Sequence, residues 1–232
     1  MKIIIYDFDG TLTPYPIPKL EILEKCGINK GLNNKDFLNK INNYSKKNNI
    51  DNYTALYQLL IKILKDKNIK LTDKNICIGI NKIEYNKGLI EYLEFTKNYN
   101  IKNYIISSGI KEYLKNTEIA KYFNDIYAST FIYENNSIKD IEYIMNDKNK
   151  VDAIKDIIKI NKIDIKNIIY IGDGLSDYYA FKYIYNNKGT TILLNNNADE
   201  KLKEVSSLIT IPDYSYNSNL FNYICKICNI HN

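Results

Sequence analysis

The spacing of apolar residues changes character along this chain, and each change marks an element. Lys2 to Tyr6 is a short apolar run rich in β-branched residues, which predicts a buried parallel strand. It ends at Asp7-Phe8-Asp9-Gly10-Thr11. From Thr13 to Pro18 prolines alternate with other residues, a pattern that blocks both helix and central strand and predicts a stiff, extended connector. Helical spacing follows for about seventy residues. Leu20, Ile22, Leu23 and Cys26 share one side of a first helix. Asn34 caps a second, carrying Phe37, Leu38, Ile41 and Tyr44. Asp51 or Asn52 starts a third, with Ala55, Leu56, Leu59, Leu60, Ile63 and Leu64 inward. Leu71 to Ile83 leaves room for a short fourth.

From Asn86 strands and helices alternate. Lys87–Asn98 is a helix, Ile101–Ser107 a strand, Ile110–Tyr122 largely helical and Asp125–Thr130 a strand. Phe131–Tyr143 suits a small hairpin about Asn135-Asn136. Val151–Ile160 is an amphipathic helix, Asn167–Ile171 a strand, Tyr178–Tyr185 a helix and Thr190–Leu194 a fifth strand. This alternation implies a parallel sheet with right-handed crossovers. The expected fold is α/β: a Rossmann-like core formed by 1–15 and 86–232, with a small helical cap, 16–85, inserted after the first strand. The alternative is that the same helices pack directly on the sheet.

Composition narrows the function. At 232 residues, 45% hydrophobic and 25% charged, the chain suits a soluble globular protein of one large or two small domains. The net charge of +5 comes entirely from lysine; there is no arginine. Lys, Asn, Ile and Tyr are abundant throughout rather than gathered in a basic stripe, so a nucleic-acid partner is not expected. No stretch approaches the ~20 apolar residues of a membrane span. The N-terminal run is too short for a signal peptide, so the expected location is cytoplasmic with no membrane partner. Cys26, Cys77, Cys225 and Cys228 fit reduced residues packing as small hydrophobes. Cys225-Lys-Ile-Cys228 lacks the second pair that a zinc site would need, and His231 is the sole histidine.

Three predicted strands end in polar residues: Asp7 and Asp9, Ser107 and Ser108, and Asp173 with Asp177 just beyond. In a parallel sheet these ends lie along one edge, where such folds bind ligands. Asp7 and Asp9 would project the same way if the strand continued, and Gly10 lets the backbone turn away. Carboxylates so placed repel one another, and a hard cation such as Mg²⁺ relieves that. The bland alternative is an acidic turn that exposes its charges. Lys150 stands at the start of the helix before the Asp173 strand.

In this order the residues resemble the four motifs of the haloacid dehalogenase-superfamily hydrolases, most closely the branch of phosphoserine phosphatase and the methionine-salvage phosphatases. The matching stretches are Asp7-Phe-Asp-Gly-Thr-Leu-Thr13, Ile105-Ile-Ser-Ser-Gly109, Lys150 with its helix, and Gly172-Asp-Gly-Leu-Ser-Asp177. The helical segment between the first two resembles the family's small cap. The resemblance implies that Asp7 is the nucleophile, forming an aspartyl-phosphate, and that Asp7, Asp173 and the main-chain carbonyl of Asp9 hold Mg²⁺. It implies that Asp9 is the acid/base, that Lys150 adds positive charge, and that Ser107 with the main-chain N–H groups of Ser108 and Gly109 binds the phosphoryl oxygens. Asp177 would orient Lys150 or a water beside the metal.

Alternatives stay open at single positions. Ser107 could instead cap the following helix, Lys148 competes with Lys150, and Tyr15 either touches substrate at the site mouth or packs. Asp9 favours a phosphatase or phosphomutase, since the family's ATPase pumps carry Thr there and its dehalogenases lack the second Asp. The implied activity is Mg²⁺-dependent hydrolysis of a small-metabolite phosphomonoester. Phosphoryl transfer to a second hydroxyl and non-catalytic ligand sensing are the alternatives. Candidate substrates are a methionine-salvage-type sugar phosphate, a phosphorylated amino alcohol and pyridoxal phosphate. Without arginine the chain lacks the cap arginine with which phosphoserine phosphatases grip a carboxylate, so phosphoserine is disfavoured. Leu175 and Ser176 also depart from the family pattern, which bears on substrate rather than mechanism.

Overall fold

A computed structural model describes residues 2–15 and 34–230. Pro16, Pro18 and the expected helix at Lys19–Cys26 lie outside the described residues. The sheet has seven strands: β1 (Ile3–Tyr6), β2 (Lys102–Ile110), β3 (Asp125–Glu134), β4 (Ser137–Tyr143), β5 (Ile168–Gly172), β6 (Thr190–Leu193) and β7 (Leu208–Ile209). Their order is β4-β3-β2-β1-β5-β6-β7, parallel except for the β3–β4 hairpin. The expected α/β architecture with a parallel core is observed. Among the described residues the helices of nine residues or more are α1 (Asn34–Asn48), α2 (Asn52–Lys67), α3 (Leu89–Asn98), α4 (Asn149–Asn161), α5 (Tyr178–Asn186) and α6 (Asn219–Cys228). Among the described residues no helix is long and apolar enough to cross a membrane.

β1 is central, and all four of its side chains are fully buried. Alternation sends Ile4 and Tyr6 into a cluster with Tyr92 of α3 and Phe221 and Ile224 of α6. It sends Ile3 and Ile5 to Ile154 and Ile157 of α4 and Phe181 and Ile184 of α5. A strand covered by helices on both faces reads as a continuous apolar run, which is why Ile-Ile-Ile-Tyr carries no polar alternation. In-register pairing sets Tyr6 level with Ile105 of β2 on one side and Ile171 of β5 on the other. The residues after these three therefore emerge side by side. Cys225 is buried on α6 and Cys228 half-buried, and burial pushes both thiols up, Cys228 to about 11. Thiols so held are small hydrophobes.

Residues 34–85 are largely helical, and α2 lies against the β3–β4 hairpin. The Tyr57 ring meets Phe131 edge-on at 5.3 Å, Lys65 pairs with Asp140 at 3.0 Å, and the Ile138 N–H donates to the Leu71 carbonyl at 2.9 Å. Asp51 caps α2 by accepting from the N–H groups of Tyr53 and Thr54.

Several expectations need correction. Leu38 does not join the inward face of α1; it is half-exposed, while Phe37 and Ile41, one turn apart, are buried. Ile110–Tyr122 is largely helical, as expected, but in two pieces, a short α-helix, Lys111–Lys115, and a 3₁₀ segment, Glu118–Tyr122. Asn116 Nδ2 and Thr117 Oγ1 donate to the Glu112 and Leu114 carbonyls, side-chain bonds that compete with helix continuation. β2 continues past Ser107 to Ile110, through a register shift against β3.

Candidate active site

β1 ends at Tyr6, and the chain turns within a few residues. The Phe8 side chain is buried, and its carbonyl accepts from the N–H groups of Thr11, Leu12 and Thr13. Gly10 sits at φ +78°, and a Cβ there would run into the Asp173 carboxylate. Both the conformation and the close approach require glycine. The Asp7 N–H continues the ladder to the Ile171 carbonyl at 2.9 Å, so Asp7 stands directly beside the end of β5.

Asp7, Lys150 and Asp177 meet in the interior. Lys150, in the first turn of α4, is 1% exposed and donates to Asp7 Oδ1 at 3.0 Å and Asp177 Oδ1 at 2.7 Å. This places Lys150, not the exposed Lys148, in the site. Asp177 Oδ1 also accepts from the Tyr170 hydroxyl at 2.9 Å, and Asp177 Oδ2 lies 3.2 Å from the Asp173 N–H and 3.5 Å from that of Gly174. Both oxygens of Asp177 are thus engaged, which suits an anchor for Lys150. Asn195 Nδ2 donates to the Asp173 carbonyl at 3.2 Å, bracing that turn from beyond β6.

Carboxylate oxygens of Asp7, Asp173 and Asp177 lie within 4.8 Å of one another. Three carboxylates against one ammonium leave two negative charges, the complement of one divalent cation. Burial, and repulsion from Asp177, Asp173 and Asp9, hold the Asp7 carboxyl up at about 8 despite Lys150. Burial and Asp177 raise Asp173 to about 7. Lys150 remains cationic, because Asp177 and Asp7 outweigh the cost of its burial. An all-oxygen, charge-excess donor set of this kind fits Mg²⁺. Asp9 lies outside this trio of carboxylates, yet close enough to raise both Asp7 and Asp173.

The Ser107-Ser108-Gly109 stretch is buried on the other side of β1. The Gly109 N–H donates to Ser107 Oγ at 3.1 Å, while Ser108 Oγ has no hydrogen-bond partner among the described residues. Ser107 is thus in the strand and engaged with Gly109, not capping a helix. Tyr15 is 71% exposed. Tyr170, Asn195 and Tyr57 were not anticipated; buried tyrosines on an apolar strand or helix carry no mark of function in the sequence.

The family model described as haloacid dehalogenase-like hydrolase matches residues 4–182, most of the chain. The chain belongs to this family. An uncharacterized protein of Borreliella burgdorferi (strain ATCC 35210 / DSM 4680 / CIP 102532 / B31) is 24% identical over 276 residues, covering 97% of this chain and 96% of that protein. Among solved structures, a phospho-aspartyl intermediate analogue of phosphoserine phosphatase is 21% identical with a TM-score of 0.67, covering 97% of this chain and 98% of that one. A phosphoserine phosphohydrolase-like protein from Francisella tularensis subsp. tularensis SCHU S4 is 23% identical, TM-score 0.61, covering 90% and 95%. The chain sets its Asp-x-Asp turn at the end of its central strand, and its fold is that of these phosphatases.

Proposed function

We propose that this hydrolase cleaves small-metabolite phosphomonoesters through an aspartyl-phosphate on Asp7, with Mg²⁺ as cofactor and residues 16–85 as a cap over the site. The observation that carries the reading is the buried Lys150 ammonium clasped between Asp7 and Asp177, with Asp173 completing a cluster of carboxylates at the centre of the sheet edge. A structural ion pair would need one carboxylate; the further carboxylates repel one another at a cost to the fold, as groups gathered for binding or chemistry do.

Asp7, Asp173 and the main-chain carbonyl of Asp9 would hold Mg²⁺, which supplies charge neutralisation for an anionic phosphoryl group beside a carboxylate. Lys150 holds Asp7 Oδ1, and Asp7 Oδ2 has no hydrogen-bond partner among the described residues, so Oδ2 is the oxygen positioned to attack. As the Asp7–phosphorus bond forms, the bond from phosphorus to the ester oxygen breaks, and the Asp9 carboxyl delivers its proton to that oxygen. The Asp9 carboxylate then takes a proton from a water whose oxygen bonds phosphorus. The Asp7–phosphorus bond breaks, freeing inorganic phosphate and restoring the Asp7 carboxylate. Ser107 and the N–H of Ser108 would bind phosphoryl oxygens, with the Gly109 N–H holding Ser107 Oγ.

A panel of phosphomonoesters, including p-nitrophenyl phosphate, sugar phosphates and phosphorylated amino alcohols, tests the reading by phosphate release with Mg²⁺ or EDTA. Release that needs Mg²⁺ and is lost in Asp7→Asn is expected. Release that survives Asp7→Asn would refute it.

A further inference from the structure

Tyr57 connects the helical insertion to the phosphate-binding stretch. It is buried on α2, and its hydroxyl donates to the main-chain carbonyl of Ser108 at 2.7 Å. At the start of the same helix, the capping residue Asp51 accepts from Asn146 Nδ2 at 3.1 Å, in the loop that leads to Lys150. One helix thus touches both elements that would face a phosphoryl group. The ring is held in turn by Phe131, at an interplanar angle of 75°.

The Ser108 carbonyl and the Gly109 N–H belong to one planar peptide unit and point in opposite directions. Fixing the carbonyl fixes the N–H, and that N–H donates to Ser107 Oγ at 3.1 Å. One lone pair of Ser107 Oγ is then engaged, and its hydroxyl proton has no acceptor among the described residues, so it is available to a ligand. We propose that Tyr57 is a positioning residue: by holding the Ser108 carbonyl it sets the Ser108–Gly109 peptide, and through it turns the Ser107 hydroxyl into an oriented donor for a phosphoryl oxygen. The inference rests on the phosphatase reading of Ser107. It makes a residue of the helical insertion a condition for a competent phosphate cradle in the core. A merely structural Tyr57 would satisfy a buried carbonyl; losing it would lower stability and leave phosphate affinity unchanged.

The test is binding of inorganic phosphate to the Mg²⁺-loaded protein by titration calorimetry, with melting temperature alongside. The proteins are wild type, Tyr57→Phe, Ser107→Ala and the double variant. Phenylalanine keeps the ring contact with Phe131 and removes only the hydroxyl. Tyr57→Phe should weaken phosphate binding by roughly fivefold to tenfold, the range for one hydrogen bond. The double variant should bind no more weakly than Ser107→Ala alone, since both losses run through the same hydroxyl.

Wild-type affinity in Tyr57→Phe overturns the proposal, whatever its melting temperature, and so do additive losses in the double variant. A wild-type protein that binds no phosphate in Mg²⁺ overturns the phosphatase reading as well. Wild-type binding that Tyr57→Phe leaves intact overturns only the role of Tyr57.

Discussion

Lys150→Met isolates the electrostatics of the site. The substitution keeps the length and apolar bulk of a side chain that is 1% exposed and removes its ammonium, which lies 3.0 Å from Asp7 and 2.7 Å from Asp177. Deleting one partner of a buried ion pair usually costs about 3–5 kcal/mol, because the other charge is left uncompensated. Here the loss should fall at the lower end, about 3 kcal/mol. Asp177 keeps the Tyr170 hydroxyl and the Asp173 N–H, and Asp7, already held up at about 8, relieves itself by binding a proton. Urea denaturation of the metal-free protein at pH 7 measures the loss as a fall in midpoint. Lys155→Met is the control: its partner Asp152 is 3.1 Å away, but both side chains are more than half exposed, so its loss should stay within ~0.5 kcal/mol. A Lys150→Met variant no less stable than Lys155→Met would refute the picture of a buried, charge-compensating lysine.

Metal binding should strengthen as pH rises from 6 to 9, because protons on Asp7, at about 8, and Asp173, at about 7, compete with the cation. Both carboxyls are raised above their ordinary value of 3.8, so the metal-free fold loses stability progressively from about pH 4 to about 8, and the melting-temperature gain from Mg²⁺ should be larger at pH 8.5 than at pH 6. A gain independent of pH would contradict this. Gly10→Ala forces a Cβ toward the Asp173 carboxylate at φ +78°, and should cost about 1–2 kcal/mol in a thermal melt and weaken Mg²⁺ binding by calorimetry. Asp9→Asn should lower the rate of phosphate release by roughly 10²–10⁴-fold while leaving the melting temperature near wild type, as expected for a lost acid/base rather than a lost scaffold.

The sheet and the strand-end residues were legible because each central strand is a bare apolar run stopped by a polar residue. Ile-Ile-Ile-Tyr before Asp7, Tyr-Ile-Ile before Ser107 and Ile-Ile-Tyr-Ile-Gly before Asp173 admit little else between two helical layers. At the start of α4 the sequence offered both Lys148 and Lys150, and burial decides for Lys150. Tertiary partners were not legible. Ser108 and Gly109 carry no strand signal; they lie in the register shift of β2 against β3, between the Ile106–Tyr127 and Ile110–Ser129 pairs, which apolar spacing does not reveal. Asn116 and Thr117 end a helix through side-chain bonds that apolar spacing does not register. Tyr57 and Tyr170 look like core aromatics in the sequence; only folding reveals that their hydroxyls reach Ser108 and Asp177.

The most direct measurement is the site of phosphorylation during turnover. The wild-type protein would be acid-quenched with substrate and Mg²⁺, treated with borohydride to convert an aspartyl-phosphate to homoserine, and mapped by peptide mass spectrometry. Homoserine at position 7, absent in Asp7→Asn, is the expected result. Homoserine at position 9 or 173, or turnover with no modified aspartate and an active Asp7→Asn variant, would contradict Asp7 as the nucleophile.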